Sequence, residues 1–179
     1  GAGAAVDATD LVVRDTLPQE SDGDFGRGVG VQAGARFTGS RLRIAGNQQA
    51  GLLAVSSGTK CDVEDLEVVA TATLACVDDC PVIPGGSGVA ALGADLTLRR
   101  FVVRGSELAG LQLGPTGAFS AEDGLITQNR IGLNLQDELL DLGAAFHRVR
   151  VRDNETDRDL TDHPVPSAAD TLQALTEAQ

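Results

Sequence analysis

Residues 36–47 read RFTGSRLRIAGN, residues 60–71 read KCDVEDLEVVAT, and residues 95–106 read DLTLRRFVVRGS. Laid over one another they share a pattern: apolar, any, apolar, two spacers, apolar, any, apolar, two spacers, then Asn, Ser or Thr. In these copies the pattern falls on Phe37, Gly39, Leu42, Ile44 and Asn47, on Cys61, Val63, Leu66, Val68 and Thr71, and on Leu96, Leu98, Phe101, Val103 and Ser106. Three further copies follow the same rule. They are Val6, Ala8, Leu11, Val13 and Thr16; Phe119, Ala121, Gly124, Ile126 and Asn129; and Ala144, Phe146, Val149, Val151 and Asn154. Self-similarity at a period of about 20–50 residues predicts a repeat array.

Within each copy the apolar residues alternate, which is the spacing of a strand rather than a helix. A plain copy runs about two dozen residues, too few for a helical crossover plus two strands. A third short strand precedes the pair, just after a glycine, as in Gly28-Val29 with Val31, Leu53 with Val55, Gly110-Leu111 with Leu113, and Gly132-Leu133 with Leu135. Three short strands per copy, joined by Gly, Asn and Ser turns, predict an all-β parallel β-helix of about six coils, each strand pairing with its equivalent about 4.8 Å away.

Stacking in register makes two columns of the sequence meaningful. The Asn/Ser/Thr positions fall at one corner, where short amides satisfy turn backbone and bond along a ladder. The residue before the last strand reads Asp10, Arg41, Asp65, Arg100, Asp123, Arg148, an outward column of alternating sign. A slip of one copy would set like charges together, so the column works as a register device. Aromatic content is only 3%, with no Trp or Tyr, as a narrow interior requires.

On this repeat the chain resembles the right-handed parallel β-helix proteins of the pectin-lyase-like superfamily. The right-handedness comes from that resemblance, not from the spacing. The resemblance covers most of the chain but supports the fold rather than one activity, because this architecture hosts many functions. Members that hydrolyse polygalacturonate carry Asn-Thr-Asp, Asp-Asp, Gly-His-Gly and Arg-Ile-Lys signatures. Only Asp78-Asp79 is present here, and neither His147 nor His163 has glycine neighbours. The lyases need calcium-holding carboxylates on one strand face with a basic residue nearby. The first strands here offer mainly Gly, Ala, Gln and Asn outward, so no catalytic residue carries over. Glycoside hydrolysis needs two facing carboxylates, and the sequence places no such pair.

The length of 179 residues fits one domain, expected as a β-helix over 1–160 and an extension over 161–179. Net charge is −12 and Lys60 is the only lysine, which argues against nucleic acid and against anionic membrane surfaces. No apolar run approaches the roughly 18 residues that span a bilayer, so no membrane insertion is expected. The chain opens Gly1-Ala2-Gly3-Ala4 without methionine, as expected of a mature or excised segment of a longer chain. Cys61 occupies an inward strand position and reads as a small core residue. Cys76 and Cys80 bracket a short loop. A local disulfide, implying an oxidising compartment, is the favoured reading, with a metal pair as the rival, and the expected setting is a secreted or cell-surface protein of a bacterium.

Two insertions leave the same corner, 17–27 and 72–87, and their bases should lie about 10 Å apart. Repeat proteins carry binding loops in this way. The candidate binding residues are Glu20, Asp22, Asp24, Phe25, Asp78 and Asp79. Asp22-Gly23-Asp24 also has oxygen ligands and a glycine turn that could contribute to a calcium loop, but the full pattern of an EF-hand is absent and a solvated acidic loop is the favoured reading. The acidic run Asp153, Glu155, Asp157, Asp159 and Asp162 has the same two readings. A third insertion, 136–143, is expected to fold back through Leu139, Leu140 and Leu142. At the end, Ser167-Ala168-Ala169-Asp170 is a capping-box pattern, and Ala168, Ala169, Leu172 and Leu175 share one side, predicting a helix over 167–178 folded over the lower end of the array, with a disordered linker to a further domain as the rival.

The first functional expectation is a non-catalytic module of a secreted or cell-surface protein, a rigid spacer or a scaffold for a polysaccharide or a protein. The alternative is a polysaccharide lyase or epimerase whose site is built from the inserted loops. Ice binding needs a regular Thr-x-Thr array, and only Thr71-Ala72-Thr73 fits.

Overall fold

The computed structural model describes residues 3–18, 26–74, 85–136 and 140–163. The architecture is all-β, with two long parallel sheets and a single turn of helix among the described residues. Strands β1 (Ala5–Thr9), β2 (Val12–Arg14), β4 (Arg36–Ala45), β6 (Lys60–Val69), β8 (Asp95–Arg104), β10 (Phe119–Thr127), β12 (Phe146–His147) and β13 (Arg150–Val151) form the eight-stranded first sheet. The six-stranded second sheet holds β3 (Val29–Val31), β5 (Ala50–Val55), β7 (Ser87–Leu92), β9 (Ala109–Leu113), β11 (Ile131–Leu135) and β14 (Thr156–Asp159). The chain alternates between the sheets, and each copy of the repeat pairs in parallel with the next. Thus Phe37 pairs with Cys61, Cys61 with Leu96, and Leu96 with Phe119.

The apolar positions of the repeat point inward and make one continuous core. Ile44, Val68, Val103 and Ile126 stack in a column with no exposed surface. Volume is balanced between layers: a Cβ on Gly124 would lie 2.2 Å from Phe101 Cζ, so the large ring of one copy fills the space left by the glycine of the next. Cys61 is 1% exposed in this core, and burial pushes its thiol up to about 12, leaving it an unreactive apolar group.

Three columns turn the chain between strands. The alternating charges sit where each long strand bends, and all six residues are left-handed, with φ from 48° at Arg100 to 56° at Asp10. Arg41 forks onto Asp10, Arg100 onto Asp65 and Arg148 onto Asp123, with Glu64 and Glu122 joining the last two arginines. The Arg41 guanidinium holds the Asp10 carboxyl below its usual range, and that of Arg148 does the same for Asp123, each outweighing a small burial effect.

The second column is the Asn/Ser/Thr corner. Asn129 Oδ1 accepts from the Ser106 N–H at 2.9 Å, Asn154 Oδ1 from the Asn129 N–H at 3.0 Å, and Asn47 Oδ1 from the Thr16 N–H at 3.1 Å. The Asn129 amide also donates to the carbonyls of Val103 and Thr127. The ladder is interrupted where Thr71 and Ser106 stand. Their hydroxyls, and Asn47 Nδ2, are buried without a hydrogen-bond partner among the described residues.

Opposite that corner runs a glycine column, Gly28, Gly51, Gly88, Gly110 and Gly132. A Cβ on Gly110 would meet Ile126 Cγ2 at 2.6 Å, Asn129 Nδ2 at 2.8 Å and Gly132 O at 2.9 Å, and the other four meet equivalent neighbours. The corner side chains occupy the space that a side chain on the second sheet would need.

Two expectations need correction. Leu53 and Val55 are not the equivalents of Val29 and Val31. Val29 pairs with Leu52, and Leu52 and Ala54 enter the main core, whereas Leu53 and Val55 cluster separately with Ala50 and Ala90 on the outer face. The glycine column explains the shift, since Gly51 aligns with Gly28 and moves each following residue by one place. Ala144 is not in a strand either. It belongs to α1 (Leu142–Ala145), capped by Asp141, whose Oδ1 accepts from the N–H of Gly143 and Ala144. This copy lies at the end of the first sheet with no later strand to pair, so a capped turn replaces the ladder. Leu140 and Leu142 do fold onto the core, as expected of that insertion.

Substituting Gly110→Ala forces a methyl group against backbone and corner atoms and should destabilise the fold by about 1–3 kcal/mol, read as a lower denaturant midpoint. Ser106→Asn should do the reverse. It supplies the amide that Asn129 supplies one copy later, and should raise stability by about 1 kcal/mol in the same measurement.

Candidate functional site

The described ends of the two insertions meet at one place. The first leaves after Thr16, whose carbonyl accepts from the Gln48 N–H at 3.3 Å, and returns at Arg27, whose Nε donates to Gln49 Oε1 at 2.5 Å. The second leaves after Ala72, whose carbonyl accepts from the Gln49 N–H at 2.9 Å, and returns at Gly86, whose N–H donates to Gln49 O at 2.7 Å. Both loops are thus tied to the dipeptide Gln48-Gln49, on one side of the stack, as their common corner predicts. Gly26 and Gly85 are needed there because a Cβ on Gly26 would lie 2.7 Å from Gln48 Cβ, and one on Gly85 would lie 2.5 Å from Gln49 Cα. Gln48 and Gln49, which carried no sequence signal, are the residues that bring the two loops together. The candidate residues Glu20, Asp22, Asp24, Phe25, Asp78 and Asp79, and the pair Cys76 and Cys80, lie outside the described residues. So does the segment 167–178.

The outer face of the first sheet is charged, and its charges largely answer one another. Glu67 bridges Arg43 and Arg104, Lys60 lies 3.8 Å from Asp95, and Arg152 lies 3.4 Å from Asp153. All but the Arg152–Asp153 pair link neighbouring copies and so reinforce register, though exposed pairs contribute little each. A shallow groove of about 270 Å³ runs past Arg36, Lys60, Asp62, Asp95, Thr97 and Ser120. Among the described residues no cluster of His, Cys, Asp or Glu is arranged to hold a metal ion.

The second sheet differs sharply. Its outward positions Leu53, Ala90, Gln112 and Asn134 form one column across neighbouring strands, and none is more than 1% exposed. Residues 160–163 cross part of this face. Thr161 O accepts from Asn134 Nδ2 at 2.8 Å, and His163 O accepts from Gln112 Nε2 at 3.1 Å and from Gln136 Nε2. The acidic run does not gather into a cation site. Asp157 takes the Asn154 amide, while Asp159 binds the Thr161 hydroxyl at 2.9 Å and His163 Nε2 at 2.8 Å. Partial burial would raise the Asp159 carboxyl, but the His163 and Thr161 hydrogen bonds outweigh it and hold the group below its usual range. His147 is exposed on the first sheet.

A scan against protein-family models and searches of curated proteins and of solved structures found no match to this chain. No helix among the described residues is long and apolar enough to cross a membrane.

Because the folded Asp159 carboxyl titrates below its unfolded value, its contribution is present above that value and is lost as pH falls through the folded one. Thermal unfolding of the wild type should therefore lose more stability between about pH 4 and pH 2 than Asp159→Asn does. Equal losses would show that the 160–163 crossing does not depend on this carboxylate.

Proposed function

We propose that the chain is a right-handed parallel β-helix of the pectin-lyase-like kind, and that it serves as a non-catalytic module of a secreted or cell-surface protein. In that role the stacked sheets form a stiff rod that spaces or presents its neighbours, and the two loops at Gln48-Gln49 provide a contact surface for a glycan or a protein. The supporting observation is the closed outer face of the second sheet. Its strands are the ones on which an acidic, calcium-holding groove would have to lie. Their outward column instead carries Leu53, Ala90, Gln112 and Asn134, all shielded from solvent. The alternation of charge along the first sheet favours the same reading, because its arginines and carboxylates are engaged with one another between copies.

The test is incubation of the purified chain with polygalacturonate, alginate and neutral polysaccharides, with and without calcium, followed by assay for unsaturated uronides and reducing ends. The expected result is no turnover on any of them, with retention on a glycan array or by a protein ligand lost when the two loops are shortened. Calcium-dependent release of unsaturated products would overturn the module reading in favour of a lyase.

A further inference from the structure

The two ends of the stack are unlike. In the first layer Val6, Ala8, Leu11, Val13 and Val29 hold the inward columns, and the outer edges of β1, β2 and β3 pair with no described strand. Val6 is 53% exposed, whereas Phe37, Cys61 and Leu96, the next members of its column, are 6% exposed or less. Val12 adds a second open apolar side chain, at 60%. The last layer is protected. There α1 stands where a strand would begin, β12 and β13 have two residues each, and Arg158 takes the inward place that Leu133 fills one layer earlier. Very short strands, a covering turn and an inward charge all keep an edge from pairing with another chain. Among the described residues the first layer has neither the turn nor the inward charge.

A second copy fits this edge in one orientation. Stacked last layer on first, with the columns continued by one step, two copies would set Arg158 over Val29, Arg152 over Arg14 and Asp153 over Asp15; only Arg148 over Asp10 would be favourable. A two-fold axis through the bend between Thr9 and Asp10 avoids those clashes. It runs β1 antiparallel to β2 of the second copy and β3 antiparallel to its own equivalent. We infer that the first layer is a self-complementary docking edge, at which two copies of the chain join about this axis.

The fit is one of pattern and charge together. The inward positions 6 and 8 lie on one side of the bend and 11 and 13 on the other, at matching distances from it. One register therefore sets Val6 opposite Val13 and Ala8 opposite Leu11, and keeps all four turned toward the joined cores. Thr9 then faces Asp10, whose carboxylate is already neutralised by the Arg41 fork of its own chain. In the same register Asp7 lies diagonally across from Arg14 of the second copy, within reach of its long side chain. Neither Asp7 nor Arg14 has an ion-pair partner among the described residues, while Asp10, Arg41, Arg43 and Glu67 nearby all do. Each copy thus supplies both halves of a charge pair that it cannot close alone. The same patch is used on both sides, so the contact stops at two copies and builds no filament. The inference concerns the end of the stack and holds whether or not the module binds a glycan.

The test is sedimentation equilibrium of the full chain over a range of concentrations. The expected species is a dimer, at twice 18.4 kDa, in reversible exchange with monomer. A monomer throughout, or a series of species growing past two copies, would overturn the assignment. Val6→Lys should abolish the dimer while the far-ultraviolet spectrum stays that of the wild type. Charge reversal keeps the test decisive if that variant fails to fold. Arg14→Asp alone should weaken dimerisation by about tenfold, and Asp7→Arg with Arg14→Asp should restore it, because the pair is rebuilt with its signs exchanged. Stacking of last layer on first gives the opposite result: there Arg14 would meet Arg152, so Arg14→Asp would strengthen association. Strengthening, or no change in the single variant, would equally overturn the two-fold edge.

Discussion

Everything in this molecule depends on parallel backbone pairing between equivalent positions of successive copies. A parallel ladder has no tight hairpin to set its register, and its strands gain nothing from being neighbours in sequence. Register must come from side chains that recur once per copy. Here it comes from three recurring positions, each acting by different physics. The glycine column is steric, since only a residue without Cβ leaves room for the corner opposite. The Asn/Ser/Thr column is hydrogen-bonded and buried. The Asp/Arg column is exposed and electrostatic.

These columns differ in weight. The glycine and corner columns are coupled, because Asn129 Nδ2 stands where a Cβ on Gly110 would go. A change on one side therefore strains the other, and neither can drift alone. The charge column is open to water and screened by salt, so its energy is small. Its use lies in discrimination: alternation of sign gives each copy a correct neighbour on both sides and an incorrect one a single step away. Stability and specificity are in this way carried by different residues at different corners.

The two sheets have opposite surfaces for a related reason. The long strands of the first sheet alternate apolar-inward and charged-outward, as a half-solvated sheet does. Strands β5, β7, β9 and β11 are buried on both sides, and their sequences show it through continuous small and apolar runs such as Ala50–Val55 and Ser87–Leu92. The glutamine and asparagine within that face satisfy crossing backbone, as buried amides must. A surface closed in this way cannot also be an open groove.

The repeat, the strands, the inward set Phe37, Leu42, Ile44 and their equivalents, and the alternating charges were all legible in the linear chain, because each is a local pattern repeated at fixed spacing. The common base of the two insertions was legible for the same reason. The facing of Leu53 was not. In a run of consecutive apolar residues a period of two leaves no mark, and the face is decided by which neighbour each residue pairs with. Nor could the run Leu142–Ala145 be told from a strand, since its helical turn follows from lying at an edge where no partner strand remains. Gln48, Gln49, Gln112 and Gln136 give no signal until folding brings segments from distant copies onto them. Patterns that repeat are written in the chain, while contacts made once, between copies or across a face, arise only when the layers are assembled in space.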